Sequence, residues 1–153
     1  MGQIPLLELE DGALLPESNA ILFYLAQGTL FWPRNDFKKA DVLRWMFFEQ
    51  YKHEPSIAVA RFINHYAMDT RSDELATLTP KGYAALDIME GHLSERDWFV
   101  GNSASIADIT LYAYTHVAHE GGFDMTKYPA INTWLGRIAS HPNHILITDE
   151  PSS

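Results

Sequence analysis

The feature that most limits this chain is one Asp11-Gly12 pair set between two short apolar runs, at the head of a sequence that otherwise reads as helix. Asp-Gly between apolar runs marks a tight hairpin. Residues 4–9 and 13–15 therefore read as two antiparallel strands. A lone two-stranded hairpin is marginal in water and leaves both of its edges open. It must pair with something, either a further segment or another chain.

The rest divides at glycine and proline. Pro16-Glu17-Ser18-Asn19 leads into an apolar helix from Ala20 to Ala26, which Gly28 stops. Residues 28–36 hold Gly28, Pro33, Asn35 and Asp36 and read as a linker. Asp36 is the expected cap of a long helix running toward Met68. Its apolar positions are Val42, Trp45, Met46, Phe47 and Phe48, then Ile57, Ala60 and Ile63. Pro55 should kink or break it. Residues 71–74 form a polar connection. Thr79-Pro80 predicts the cap and first position of a helix ending near Arg96, with Leu86, Met89 and Leu93 on one face. Ser105 opens the next, with Ile106, Ile109, Ala113 and Val117 inward and Gly121-Gly122 at its end. Pro129 begins the last, with Ile131, Leu135 and Ile138 inward and Pro142 closing it.

Composition removes several functions. A net charge of −9 repels phosphate backbones, so no nucleic-acid partner is expected. The chain has no cysteine, which excludes disulfides, thiolate metal sites and a cysteine nucleophile. No apolar run has the length of a membrane span, so no membrane partner is expected and a cytoplasmic location is the default. The seven histidines invite a metal reading. His116 and His119 are three apart beside Glu120, and His141 and His144 flank Pro142, but no third ligand stands at useful spacing, so no metal site is expected.

Two motifs carry function. The first runs Gly2-Gln3-Ile4-Pro5-Leu6-Leu7, then Asp11-Gly12, then Leu15-Pro16-Glu17-Ser18-Asn19-Ala20-Ile21. The second is Gly101-Asn102-Ser103-Ala104-Ser105-Ile106-Ala107-Asp108-Ile109. In the first, Glu17 and Ser18 stand at a helix start, where free N–H groups attract an anion or are capped by the side chains themselves. In the second, Ser105-x-x-Asp108 is a capping box with Asp at the third helical position. Its staple contact, Ala104 with Ile109, is small. Ser105→Ala should cost roughly 1 kcal/mol, within 0.5–2.

In content, order and separation these motifs resemble the cytosolic glutathione S-transferase family of the bacterial type, over nearly the whole chain. The resemblance implies an α+β chain: the C-terminal half of a thioredoxin-like domain, a β-hairpin plus helix, followed by the family's all-α C-terminal helical domain. It divides the chain into a partial glutathione-binding domain at 1–28, a linker at 29–36, a helical domain at 37–148 and a loose tail at 149–153. It implies that Ile4 precedes a cis Pro5 and pairs its backbone with the cysteinyl part of glutathione. It implies that Ser18 takes the γ-glutamyl carboxylate and Glu17 faces the ammonium. Glutathione is then a co-substrate, and no cofactor is implied. The other partner is a small hydrophobic electrophile, and the assembly a homodimer.

The acceptor pocket is expected beside the long helix after the linker, with Tyr51, Glu54 and Arg61 as candidates; each also fits a core rim or a solvated face. Family chemistry activates the thiol with a Tyr, Ser or Cys in an opening strand-helix-strand unit. No position here corresponds to it, so no catalytic residue is assigned. The expectation is an N-terminally truncated relative: a piece of a longer chain, a short variant borrowing strands from a partner, or a non-catalytic binding and assembly module.

Overall fold

The computed structural model describes residues 4–146 and residue 149. Residues 2 and 3 of the first motif, and all but residue 149 of the expected tail, lie outside the described residues. Strands β1 (Leu6–Glu8) and β2 (Leu14–Pro16) pair antiparallel with Leu7 opposite Leu15. The turn closes by Leu9 N–H donating to Ala13 O and Gly12 N–H donating to Leu9 O, each at 2.9 Å. Gly12 sits at φ 83°, a left-handed conformation that suits glycine. The first strand is shorter than its apolar run suggested, and the second has the expected length but lies one residue later.

Helix α1 (Ser18–Ala26) follows directly. The linker then folds back: Phe31 and Trp32 pack on the core, Trp32 meets Phe23 edge-on at 5.0 Å, and Phe31 O accepts from Ile106 N–H at 3.1 Å. This ties the linker to a helix some seventy residues later.

The long helix is continuous in course but not in type. Helix α2 (Asp36–Phe48) passes through a π turn at Glu49–His53 into α3 (Glu54–Phe62), and a second π turn at Ile63–Ala67 leads to α4 (Met68–Arg71). Its cap is Asn35, whose side chain accepts from Lys38 N–H at 3.0 Å, rather than the expected Asp36. Asp36 instead pairs with Lys39 at 2.8 Å. Pro55 does not break the course. It falls in the first turn of α3, after a wide turn that already departs from the i→i+4 ladder, where a missing N–H costs little.

Helix α5 (Leu75–Leu93) starts a full turn before Thr79 and ends before Arg96. Pro80 therefore lies inside it. Leu75 packs on the core and draws the helix upstream, while Pro80 is exposed. Helix α6 (Ile106–Thr115) buries Ile106, Ala107, Thr110, Leu111 and Thr115. Ile109 points outward and Ala113 is only half-buried, which corrects the expected inner face by one residue per turn. Val117 is buried beyond the helix end, and a 3-10 turn at Ala118–Gly121 precedes left-handed Gly122. Helix α7 (Pro129–Ala139) buries Ile131 and, unexpectedly, Trp134, with Leu135 and Ile138 half-buried.

One core joins these helices. Trp45, Phe99 and Trp134 form an edge-to-face chain at 4.6 and 5.2 Å, surrounded by Val42, Ile57, Leu86, Met89 and Leu111. Phe47 lies outside it at 60% exposure, so it is a surface residue of α2 rather than part of the core.

Candidate functional site

The site is built at the start of α1. Glu17 has φ 76° and ψ 113°, the one non-glycine residue with positive φ among the described residues. Such a conformation costs on the order of 1 kcal/mol and persists where its surroundings impose it. Glu17 and Ser18 are both exposed, and the N-terminus of α1 has no side-chain cap. Three other helix starts contrast with it, whereas α3, α4 and α5 also lack a side-chain cap. Asn35 caps α2, Ser105 and Asp108 cap α6, and the Glu90 carboxylate accepts from Ala130 and Ile131 N–H at 2.9 Å each to cap α7. Free donors at a helix start are a ready place for an anion. The Ile4–Pro5 bond is cis, and Ile4 is exposed at the head of the hairpin.

Beneath Ser18 lies a network that sequence reading missed. Asn19 accepts at Oδ1 from the Thr110 hydroxyl at 3.0 Å, and its Nδ2 donates to Glu49 Oε2 at 3.4 Å. The same Glu49 oxygen accepts from Gln50 at 2.8 Å. Three elements thus meet at the Asn19 amide: α1, the first π turn through Glu49 and α6 through Thr110. Burial pushes the Glu49 carboxyl up, the bonds from Gln50 and Asn19 pull it back, and the charge of Glu54 adds to the rise. Asn19 fixes where the start of α1 sits on the helical bundle. A groove of about 370 Å³ opens alongside, lined by Glu17, Asn19, Phe23, Met46, Phe47 and Gln50.

The acceptor-pocket candidates do not gather around one cavity. Tyr51 is 82% exposed and lines a groove against α5 with Pro55, Leu78 and Ile88. Arg61 binds Glu120 at 2.5 Å, a carboxylate that also meets His65 at 3.0 Å, and these bonds hold it below the usual range. Glu54 is half-buried, and burial raises it.

Ser105 and Asp108 make the reciprocal capping bonds, with Ser105 N–H donating to Asp108 Oδ2 at 2.9 Å. Asp108 does more than cap. Its Oδ1 accepts from Phe99 N–H at 3.1 Å and from Trp134 Nε1 at 3.0 Å. The carboxyl is fully buried, which raises it, and these donors offset the rise. Outward-facing Ile109 lines an apolar groove of about 360 Å³ with Phe31, Trp98, Tyr112 and Ile138. Among the described residues no three His, Asp or Glu side chains gather as metal ligands, and no helix is long and apolar enough to cross a membrane. His116 and His144 both bond to Tyr112.

A two-stranded hairpin of the thioredoxin-like kind, joined through one helix to an all-helical bundle, defines the class of fold. The family model described as "Glutathione S-transferase, C-terminal domain" matches residues 40–142. The chain belongs to the glutathione S-transferase family. It is 32% identical over 149 residues to the glutathione S-transferase-like protein LUC7 of Fusarium sp, covering 89% of this chain and 65% of that protein. It is 31% identical over 140 residues to elongation factor 1-gamma of Artemia salina, covering 88% of this chain and 32% of that protein. The chain thus spans less than two thirds of the length of these relatives. Among solved structures, a glutathione S-transferase from Pseudomonas fluorescens superposes with a TM-score of 0.93 at 55% identity, over 97% of this chain and 75% of that one. A sphingomonad glutathione S-transferase complexed with glutathione superposes at 0.79 and 28% identity, over 92% of this chain and 70% of that one.

Proposed function

We propose that this chain binds the γ-glutamyl and cysteinyl parts of glutathione and serves a transferase that joins the glutathione thiolate to small hydrophobic electrophiles, or uses it in glutathione-dependent reduction. The observation that carries this reading is the uncapped start of α1, with its exposed Ser18 hydroxyl, set on the bundle by Asn19. Ser18 would take the γ-glutamyl carboxylate, Glu17 the ammonium, and the Ile4 backbone beside Pro5 the cysteinyl unit. Conjugation forms a C–S bond as the electrophile loses its leaving group or takes up the displaced electron pair. It needs the thiolate, and a free thiol has a pKa near 8.5. No residue of this chain is assigned to lower it. A homodimer, a cytoplasmic location and a role in detoxification belong to the same reading.

Isothermal titration of glutathione into the chain, beside Glu17→Ala and Ser18→Ala, tests it. Binding weakened in both variants is the expected result. No binding by a chain that circular dichroism shows folded would overturn it. A second reading, a non-catalytic assembly module, is favoured by the match to elongation factor 1-gamma. It predicts a stable folded dimer with no glutathione affinity, and conjugation above the uncatalysed rate would remove it.

A further inference from the structure

Helix α6 buries two threonines, and their hydroxyls are used differently. Thr115 donates back to Leu111 O at 2.6 Å, inside its own helix. That carbonyl, four residues earlier, is the ordinary partner of a threonine in a helix. Thr110 instead donates out of α6, to Asn19 Oδ1 at 3.0 Å. A valine at position 110 would fill the same volume without carrying a polar group into the core. What the hydroxyl adds there is its bond to the residue next to Ser18.

That bond holds the first turn of α1. Packing of α1 on the core begins at Leu22, a full turn beyond Ser18. Over residues 17–21, the side-chain hydrogen bonds are the two that Asn19 makes. The bond from Thr110 is the shorter, and the one to Glu49, at 3.4 Å, is near the limit of a hydrogen bond. Asn19 Oδ1 faces a hydroxyl that donates and Nδ2 faces a carboxyl that accepts, so the amide has one favoured sense. Helix α6 therefore gives the firmer hold on the start of α1. A shift of Asn19 moves the adjoining Ser18 hydroxyl and the bare N–H groups with it.

Resting on the glutathione reading above, we propose that Thr110 is a positioning residue of that site. Acting through Asn19, its hydroxyl sets where Ser18 and the bare N–H groups of α1 meet the γ-glutamyl carboxylate. No contact with the ligand is assigned to Thr110 itself. Hydrogen bonds weaken steeply as their angle opens, and those to a charged group are the strong ones. A small loosening of the first turn is thus felt at the carboxylate far more than along the rest of the peptide.

Two peptides provide the test: glutathione, and γ-aminobutyryl-cysteinyl-glycine, which is glutathione without the γ-glutamyl carboxylate. Both are titrated into the wild-type chain, Thr110→Val, Thr110→Ser and Asn19→Ala, with folding checked by circular dichroism. The expected wild-type preference for glutathione is about thirtyfold. Thr110→Val and Asn19→Ala should compress it to about threefold, by weakening glutathione and leaving the analogue little changed. Thr110→Ser keeps the hydroxyl and should restore the preference. A purely structural role would weaken both peptides alike and preserve the ratio. An unchanged ratio in folded Thr110→Val overturns this inference and leaves the glutathione reading intact. If Thr110→Val does not fold, the ratio in Asn19→Ala decides in the same way. Equal wild-type affinity for the two peptides also overturns the inference, because no carboxylate contact is then there to be positioned. Failure of glutathione itself to bind overturns the glutathione reading and this inference together.

Discussion

The two ends of this molecule are built to opposite standards. In the bundle from α2 to α7, three of the helix starts are capped by side chains and large aromatics interlock. In the hairpin and α1, Ile4, Leu6, Leu14 and Leu25 are exposed and the helix start is bare. Apolar surface at a sheet edge is unfinished contact, whereas bare N–H groups are unfinished recognition. Stability should therefore be written almost entirely in the bundle, and binding in the end that contributes least to it.

The largest expected blow to the bundle is Asp108→Ala. It strands the buried Phe99 N–H and the Trp134 indole N–H as well as the cap, and should cost about 3–5 kcal/mol by chemical denaturation. Survival with less than about 1 kcal/mol lost would mean the hub is dispensable. Next is the pH dependence set by His53. It is fully buried, its Nε2 bonds to Thr115 Oγ1 at 2.8 Å, and burial depresses it from 6.5 to about 3. It stays neutral in the fold while the unfolded chain takes up a proton. Stability is thus whole above pH 6.5 and is lost as pH falls toward 3. The contribution is on the order of 4 kcal/mol, and His53→Leu should flatten that slope in denaturation curves between those limits. Gly82→Ala comes third. A Cβ there would collide with the Phe123 ring, and the overpacking should cost about 1–3 kcal/mol in thermal or denaturant unfolding. Smallest is Leu14→Ser, on the exposed face of β2, which should change stability by less than about 0.5 kcal/mol. A larger loss would show that the hairpin is buried by a partner in solution.

The sequence exposed what is local and hid what is not. Asp11-Gly12, the Ser105 to Asp108 spacing and Gly28 each act within a few residues, so the hairpin, the cap of α6 and the end of α1 could be read directly. Trp134 and Phe99 lie 26 and 9 residues from Asp108, so the cap was legible and the hub was not. Asn19 went unnoticed because its partners, Glu49 and Thr110, stand 30 and 91 residues away. Thr79-Pro80 misled for a related reason: a strong local start signal lost to the burial of Leu75.

The π turns at Glu49–His53 and Ile63–Ala67 also act as phase shifters along one rod. A wide turn holds roughly one residue more than an α turn, and each residue carries about 100° of rotation. Everything downstream is therefore re-aimed. Deleting a single residue within Glu49–His53 would give a more regular helix and a ruined protein, because Ile57 and Ala60 would swing out of the core and the Glu54 N–H to Glu49 O bond would be undone. The irregularity acts as a keyway: it fixes which face of the second half of the helix meets α5 and α6.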